Sequence, residues 1–188
     1  MEKYGDPGFK YHEAIAKIIA LLTAKLAEEP IVGFNATDYA TGLESYLQRM
    51  RDTTKAEEAM GKDVFWPLEK AIQAFKASAQ VLDKHASKLQ AELSSTDLTT
   101  SNKKSLYAKI HAVNTEYKLL ERKFLYQPGL DGRTWFKHVV FAPGLWTGYA
   151  GATFPGIVEA IEFGKSWEVK KWIAIVTSVV GGAALEMS

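Results

Sequence analysis

The sequence has no cysteine, which excludes a disulfide framework, a thiol nucleophile and a thiolate metal site. That absence does not fix the compartment. An excess of either charge is also missing. Lys and Arg number 23 against 22 Asp and Glu, for a net charge of +1. Such a chain has no overall field to draw nucleic acid or an anionic membrane. Its basic residues are spread among acids, the pattern of solvated helix faces rather than a nucleic-acid stripe.

Long hydrophobic runs are lacking too. The most apolar stretch, Trp172 to Leu185, carries no charge. It falls short of the roughly 20 residues that a spanning helix needs. It reads as a buried terminal helix, weakened by Gly181-Gly182. The first residues, Met1 to Asp6, have no apolar centre and do not read as a signal peptide. No stretch alternates at strand period, and no internal repeat is visible. Nucleophile-elbow, Walker, dinucleotide-binding and HExxH patterns are all missing. Of the four histidines, His12, His85, His111 and His138, none has a second histidine at ligand spacing. His12-Glu13 reads as a solvated helix face. His138 reads as a hydrogen-bonded structural residue rather than a general base.

What remains is helix. The chain has 188 residues and is 47% hydrophobic, enough for one domain with a proper core. After Pro7-Gly8, apolar residues at Ile15, Ile18, Ile19, Leu22 and Leu26 predict an amphipathic helix ended by Pro30 and Gly33. Thr37 is placed as the N-cap of a second helix, with Asp38 against its dipole and Gly61 as its stop. A third begins at Phe65-Trp66-Pro67 and repeats Leu68, Ile72, Phe75, Ala79, Leu82, Ala86, Leu89 and Leu93. A polar loop from Ser94 to Asn102 leads to a fourth, with Leu106, Ile110, Val113, Tyr117, Leu120 and Phe124. The two seams suggest an antiparallel hairpin. Pro155 opens a short helix that ends at Gly164, and Trp167 to Leu185 forms the last, with Lys170 and Lys171 on its wet side. The expected fold is all-α: a bundle of about four main helices with a short extra helix.

The periodicity breaks between Tyr126 and Ile161. Five of the 14 glycines and three of the six prolines fall between Tyr126 and Pro155, among Trp135, Phe136, Phe141, Trp146, Tyr149 and Phe154. An aperiodic loop of this length is usually functional or disordered, and its aromatics argue for order. Gly148-Tyr149-Ala150-Gly151 follows no predicted strand and has no lysine after it, so it does not read as a phosphate cradle. Asn35-Ala36-Thr37 is an N-glycosylation sequon, which makes Asn35 a candidate acceptor if the protein is lumenal.

Lys137-His138-Val139-Val140-Phe141-Ala142-Pro143, then Gly148-Tyr149-Ala150-Gly151 and Phe154-Pro155-Gly156-Ile157, resemble a known family. It is the C-terminal helical domain of the glutamate carboxypeptidase II and transferrin receptor family, the transferrin receptor-like dimerisation domain. Asp6-Pro7, Phe9-Lys10-Tyr11-His12, Asp38-Tyr39-Ala40 and Leu120-Glu121-Arg122 extend the resemblance over nearly the whole chain, residues 1–188.

The resemblance implies a non-catalytic domain that forms the homodimer of a zinc peptidase-like protein and helps close its substrate pocket. In the peptidase branch this loop lends a Lys-Tyr pair that grips the carboxylates of a C-terminal glutamate. Tyr149 matches the tyrosine, and Gly148 stands where the lysine would be. Without that charge a preference for glutamate is not expected. His138 and Gly148 are further candidate loop contributors. The two zinc ions of the family belong to an upstream protease-like domain, so no cofactor is expected on this chain and none of its residues is assigned as a ligand. The implied partners are a second copy and the parent's protease-like and apical domains, with neither nucleic acid nor membrane insertion. The parent would be a single-pass membrane protein with this domain lumenal, vacuolar or extracellular. The alternative implied by the receptor branch is an assembly domain of a catalytically inactive receptor or trafficking adaptor.

Overall fold

The computed structural model describes residues 3–95, 99–146, 148 and 150–187. The chain forms two compact units, Met1–Phe34 and Asn35–Ser188.

In the first unit a short 3-10 turn, Pro7–Phe9, leads into α1, Lys10–Glu28. The first turn of any helix leaves backbone N–H groups without helical partners. Here the Asp6 carboxylate takes two of them, from Tyr11 at 3.0 Å and His12 at 2.9 Å, and also meets the His12 ring at Nδ1. His12 is therefore tied to Asp6 rather than merely solvated. Burial of Asp6 resists ionisation, but the bonds from His12 and Tyr11 outweigh it and hold the carboxyl below its ordinary range. No residue of α1 is buried. Its expected apolar stripe is present at Ile15, Ile18, Ile19, Leu22 and Leu26.

The second unit holds α2 (Ala36–Thr53), α3 (Ala56–Met60), α4 (Trp66–Leu93), α5 (Thr100–Leu119), α6 (Pro155–Glu162) and α7 (Ser166–Glu186). The four long helices α2, α4, α5 and α7 form the expected body. The central member is α4, which packs against the other three and most extensively against α7. Its buried side chains are those of the predicted seam: Leu68, Ile72, Phe75, Ala79, Leu82, Ala86 and Leu89. From α5 come Leu106, Ile110, Val113 and Tyr117, and from α7 Val169, Trp172, Ile173, Val176, Val180, Ala183 and Ala184. Gly181 and Gly182 do not interrupt α7. Each costs about 1 kcal/mol relative to alanine in a helix, which burial of Val180, Ala183 and Ala184 offsets. Among the described residues no helix is long and apolar enough to cross a membrane.

Four local expectations need correction. The N-cap of α2 is Asn35, whose side chain accepts from the Asp38 N–H at 2.9 Å. Thr37 lies inside the helix and donates its hydroxyl to Asp83 at 2.5 Å. The cause is the Asp83 carboxylate on α4, which also accepts from the N–H groups of Ala36 and Thr37 and from the Tyr117 hydroxyl on α5. Second, the predicted second helix is two helices. Thr54 is extended, with φ −115° and ψ 153°, and Gly61 at φ +101° stops α3 instead. Third, the seam of α5 ends in a tighter 3-10 segment, Leu120–Phe124. Fourth, strand is present. β1 (Phe141–Pro143) pairs antiparallel with β2 (Gly151–Thr153), Ala142 opposite Ala152. Three residues are too few for alternation to show in a sequence.

Candidate functional site

The described residues of the aperiodic stretch form an arm laid on α6 and the start of α7. It begins where Val139 N–H donates to the Phe124 carbonyl at 3.0 Å and Tyr126 N–H to the Lys137 carbonyl at 2.8 Å. These bonds make an irregular ribbon from Leu125 to His138. Its turn needs Gly129 at φ +77°, where a Cβ would lie 2.1 Å from the Thr134 carbonyl oxygen. The chain then runs into β1, turns through Gly144 to Ala150 and returns along β2. Gly144 and Ala150 close the turn by a 2.8 Å backbone bond, and Gly148 N–H reaches the Gly144 carbonyl at 3.1 Å.

Three polar clusters hold the arm. The first is centred on Arg133, which is 9% exposed. It donates through Nη1 to the Pro143 carbonyl at 2.8 Å and through Nη2 to Glu159 of α6, with its guanidinium 5.2 Å from the Phe136 ring centre. Burial pushes the Glu159 carboxyl above its ordinary range although Arg133 pulls the other way; Glu162 and Asp131 add to the rise. The second is Asp131, which accepts from Lys171 and from the Trp172 indole N–H, each at 2.8 Å. Burial resists its ionisation, but those bonds prevail and its carboxyl titrates low. Lys171 is thus engaged with the arm, whereas Lys170 remains exposed as expected.

The third cluster contains His138. Its Nδ1 faces the N–H groups of Val140 at 3.2 Å and Phe141 at 3.1 Å, so that nitrogen is the acceptor. The other, Nε2, therefore carries the proton and donates to Glu121 at 2.8 Å. The ring stacks on Phe141 and leans on the buried Phe124. Tyr39 stacks on Phe124 and its hydroxyl approaches the same Glu121 at 3.4 Å. Burial pushes the Tyr39 hydroxyl well up, and the Glu121 carboxylate adds to it. Both ring nitrogens of His138 are committed to fixing where β1 starts, as a structural histidine would be.

At the far end the arm exposes aromatic surface. Trp146 is 77% exposed and meets Phe163 edge-on at 6.2 Å. Gly148 beside it is exposed with φ +59°, a conformation lysine rarely adopts. Tyr149 lies outside the described residues. Phe154 then buries its ring completely in a left-handed conformation, φ 46°, and delivers the chain to Pro155 and α6. There Gly156 touches Trp172 so closely that a Cβ would lie 2.3 Å from the indole. Asn35 is exposed at the start of α2 and far in sequence from the arm. Sequence reasoning missed Arg133, Glu159 and Asp131, whose side-chain hydrogen-bond partners lie 26 to 41 residues away and leave no local signal.

Among the described residues no three of His, Asp and Glu come together as a metal would require. What the described tip offers to another surface is the exposed Trp146 ring beside the backbone of Gly148.

Comparison with known proteins shows the family. The sequence profile described as "Transferrin receptor-like dimerisation domain" matches residues 64–188. A probable glutamate carboxypeptidase of Arthroderma benhamiae is 33% identical over 98% of this chain and 24% of its own length. Aminopeptidase NAALADL1 of Rattus norvegicus is 31% identical, again over 98% of the chain and 24% of its length. Vacuolar protein sorting-associated protein 70 of Saccharomyces cerevisiae is 22% identical over 95% and 23%. The chain thus spans about a quarter of the curated relatives it matches. With two thirds of its residues inside that profile and a helical body carrying the expected arm, the chain belongs to the transferrin receptor-like dimerisation domain family.

Proposed function

We propose that this domain joins two copies of a glutamate carboxypeptidase-like protein and uses its arm to border the parent's substrate pocket. The observation that carries this reading is the arm itself. It is braced by Arg133, Asp131 and His138, yet its outer end, with Trp146 and Gly148, is left uncovered. A loop anchored this firmly behind an exposed aromatic tip suits contact with a neighbouring surface. The parent's protease-like and apical domains would supply that surface, and two zinc ions held upstream would supply the hydrolytic chemistry. Alone the domain is inert. The described residues do not fit a zinc site, so no step of the reaction is assigned to them.

Tyr149 would be the residue offered to substrate. Gly148 cannot add a lysine's charge, and its left-handed backbone also disfavours a lysine there. The same residue supports the second reading, an assembly domain of a catalytically inactive parent. The vacuolar sorting relative, with a name that records no peptidase activity, is compatible with it. In either case the parent would be a single-pass membrane protein holding this domain on the lumenal, vacuolar or extracellular side. Asn35, exposed there, would be open to glycosylation.

The test uses the full-length parent. Replacing residues 144–150 by a short glycine linker should lower kcat/KM for peptide substrates while the dimer persists in sedimentation. Unchanged kinetics would remove the arm from the pocket. Peptide turnover by the 188-residue chain with added zinc would overturn the claim that it is inert.

A further inference from the structure

His138 holds the start of β1 in a way that a proton would undo. The acceptor nitrogen of a neutral imidazole has one lone pair. Here two backbone donors share it, the N–H groups of Val140 at 3.2 Å and Phe141 at 3.1 Å. A histidine that takes up a proton is a donor at both nitrogens. At Nδ1 that proton would point into two N–H groups, so the ring must leave or the amides must turn away. The same two residues root the hairpin. The Val140 carbonyl accepts from Phe154 N–H at 2.8 Å, and Phe141 stands opposite Thr153 in the register of β1 and β2.

The groups around the ring do not relieve that clash. Glu121, on the 3-10 segment, accepts from Nε2 at 2.8 Å. From α2, Tyr39 approaches Glu121 at 3.4 Å and Tyr46 meets Phe141 edge-on at 5.5 Å. Lys137, next in the chain, is engaged with Gln127. Glu121 favours an imidazolium, and so do the ring faces of Phe124 and Phe141. Yet the Glu121 side chain is 59% exposed, so solvent screens it, and the neutral ring already donates to it. All of this help acts away from Nδ1, where the two amides lie.

We propose that the arm is a pH-sensitive latch, closed while His138 is neutral and opened at the root of β1 when Nδ1 takes a proton. The open arm binds one proton that the closed arm excludes. The closed arm is therefore fully favoured above the ordinary histidine value of about 6.5, and opening gains up to about tenfold for each pH unit below it. This stands apart from the pocket and self-association readings.

The test is amide hydrogen exchange on the full-length parent, corrected for the intrinsic effect of pH. Between about pH 6 and about pH 5, protection of residues 139–143 and 151–154 should fall about tenfold, while α4 keeps its own. His138→Asn should abolish the step, because its side-chain oxygen can accept from the same two N–H groups and does not titrate. Glu159→Gln should retain it, which separates His138 from the carboxyl that burial raises on α6. Strand protection that ignores pH would overturn the latch, as would a step that survives His138→Asn or vanishes in Glu159→Gln. None of these results bears on dimerisation or on peptide kinetics, which test the other readings.

Discussion

Gly156 and Asp83 each settle a junction between helices by one atom or one charge. At Gly156 only a hydrogen separates α6 from the Trp172 indole. Gly156→Ala must push that ring away, and with it the bond from its Nε1 to Asp131. Overpacking of this kind costs about 1–3 kcal/mol. The expected readout is a lower Tm and loss of the shifted indole N–H resonance of Trp172; an unchanged Tm would show that α6 can slide. Asp83 joins α2, α4 and α5 through four hydrogen bonds. Burial works against its charge, but the bonds from Thr37, Ala36 and Tyr117 win and depress its carboxyl. An unfolded aspartate titrates near about 3.9, so the bonus is present above that pH and disappears as pH falls through the lower folded value. Asp83→Asn should therefore cost about 1–3 kcal/mol at pH 7. Its deficit in urea unfolding should shrink below about pH 4. A deficit of equal size at pH 3 would sink the account.

The arm shows what one element's anchoring is worth. Arg133 and Glu159 are 11% and 14% exposed at their side chains. Removing one member of a buried pair costs about 3–5 kcal/mol, because the other is left charged and dry. Arg133→Met should detach the arm from α6, seen as faster exchange of the amides of β1 and β2. Burial already raises the Glu159 carboxyl. For a raised carboxyl the stabilising contribution is complete below the unfolded value, about 4.3, and is lost as pH rises through the folded one. The variant should thus recover stability on acidification, and Arg133→Met/Glu159→Gln should recover part of it at neutral pH. Identical exchange at both pH values would contradict this. None of that bracing was legible in the sequence. The helices were, because Leu68 to Leu89 repeat every three and four residues and that rhythm is local. The arm itself was legible only as the place where rhythm stops. Its three-residue strands are too short to alternate, and Arg133, Asp131 and Asp83 reach Glu159, Trp172 and Ala36 across 26 to 47 residues, which spacing does not encode. Thr37 was assigned the capping role because capping was argued within one turn, while the competing carboxylate came from α4.

At the scale of the whole molecule, the two units differ in what keeps them ordered. Every buried apolar side chain lies at Ala36 or beyond, while α1 buries none. The second unit is held by its own core. A chain of residues 35–188 should keep the helix signal expected of its own elements. One kcal/mol corresponds to a Tm change of about 2–4 °C in a domain of this size, and the truncated chain should stay within that interval when compared with the full chain at low concentration. A larger drop would mean that residues 3–34 support the core. The helix α1 has no buried residue to order it within its own unit. Its amides should exchange faster than those of α4 and α7, which carry the core. Protection of α1 equal to that of α4 would contradict this.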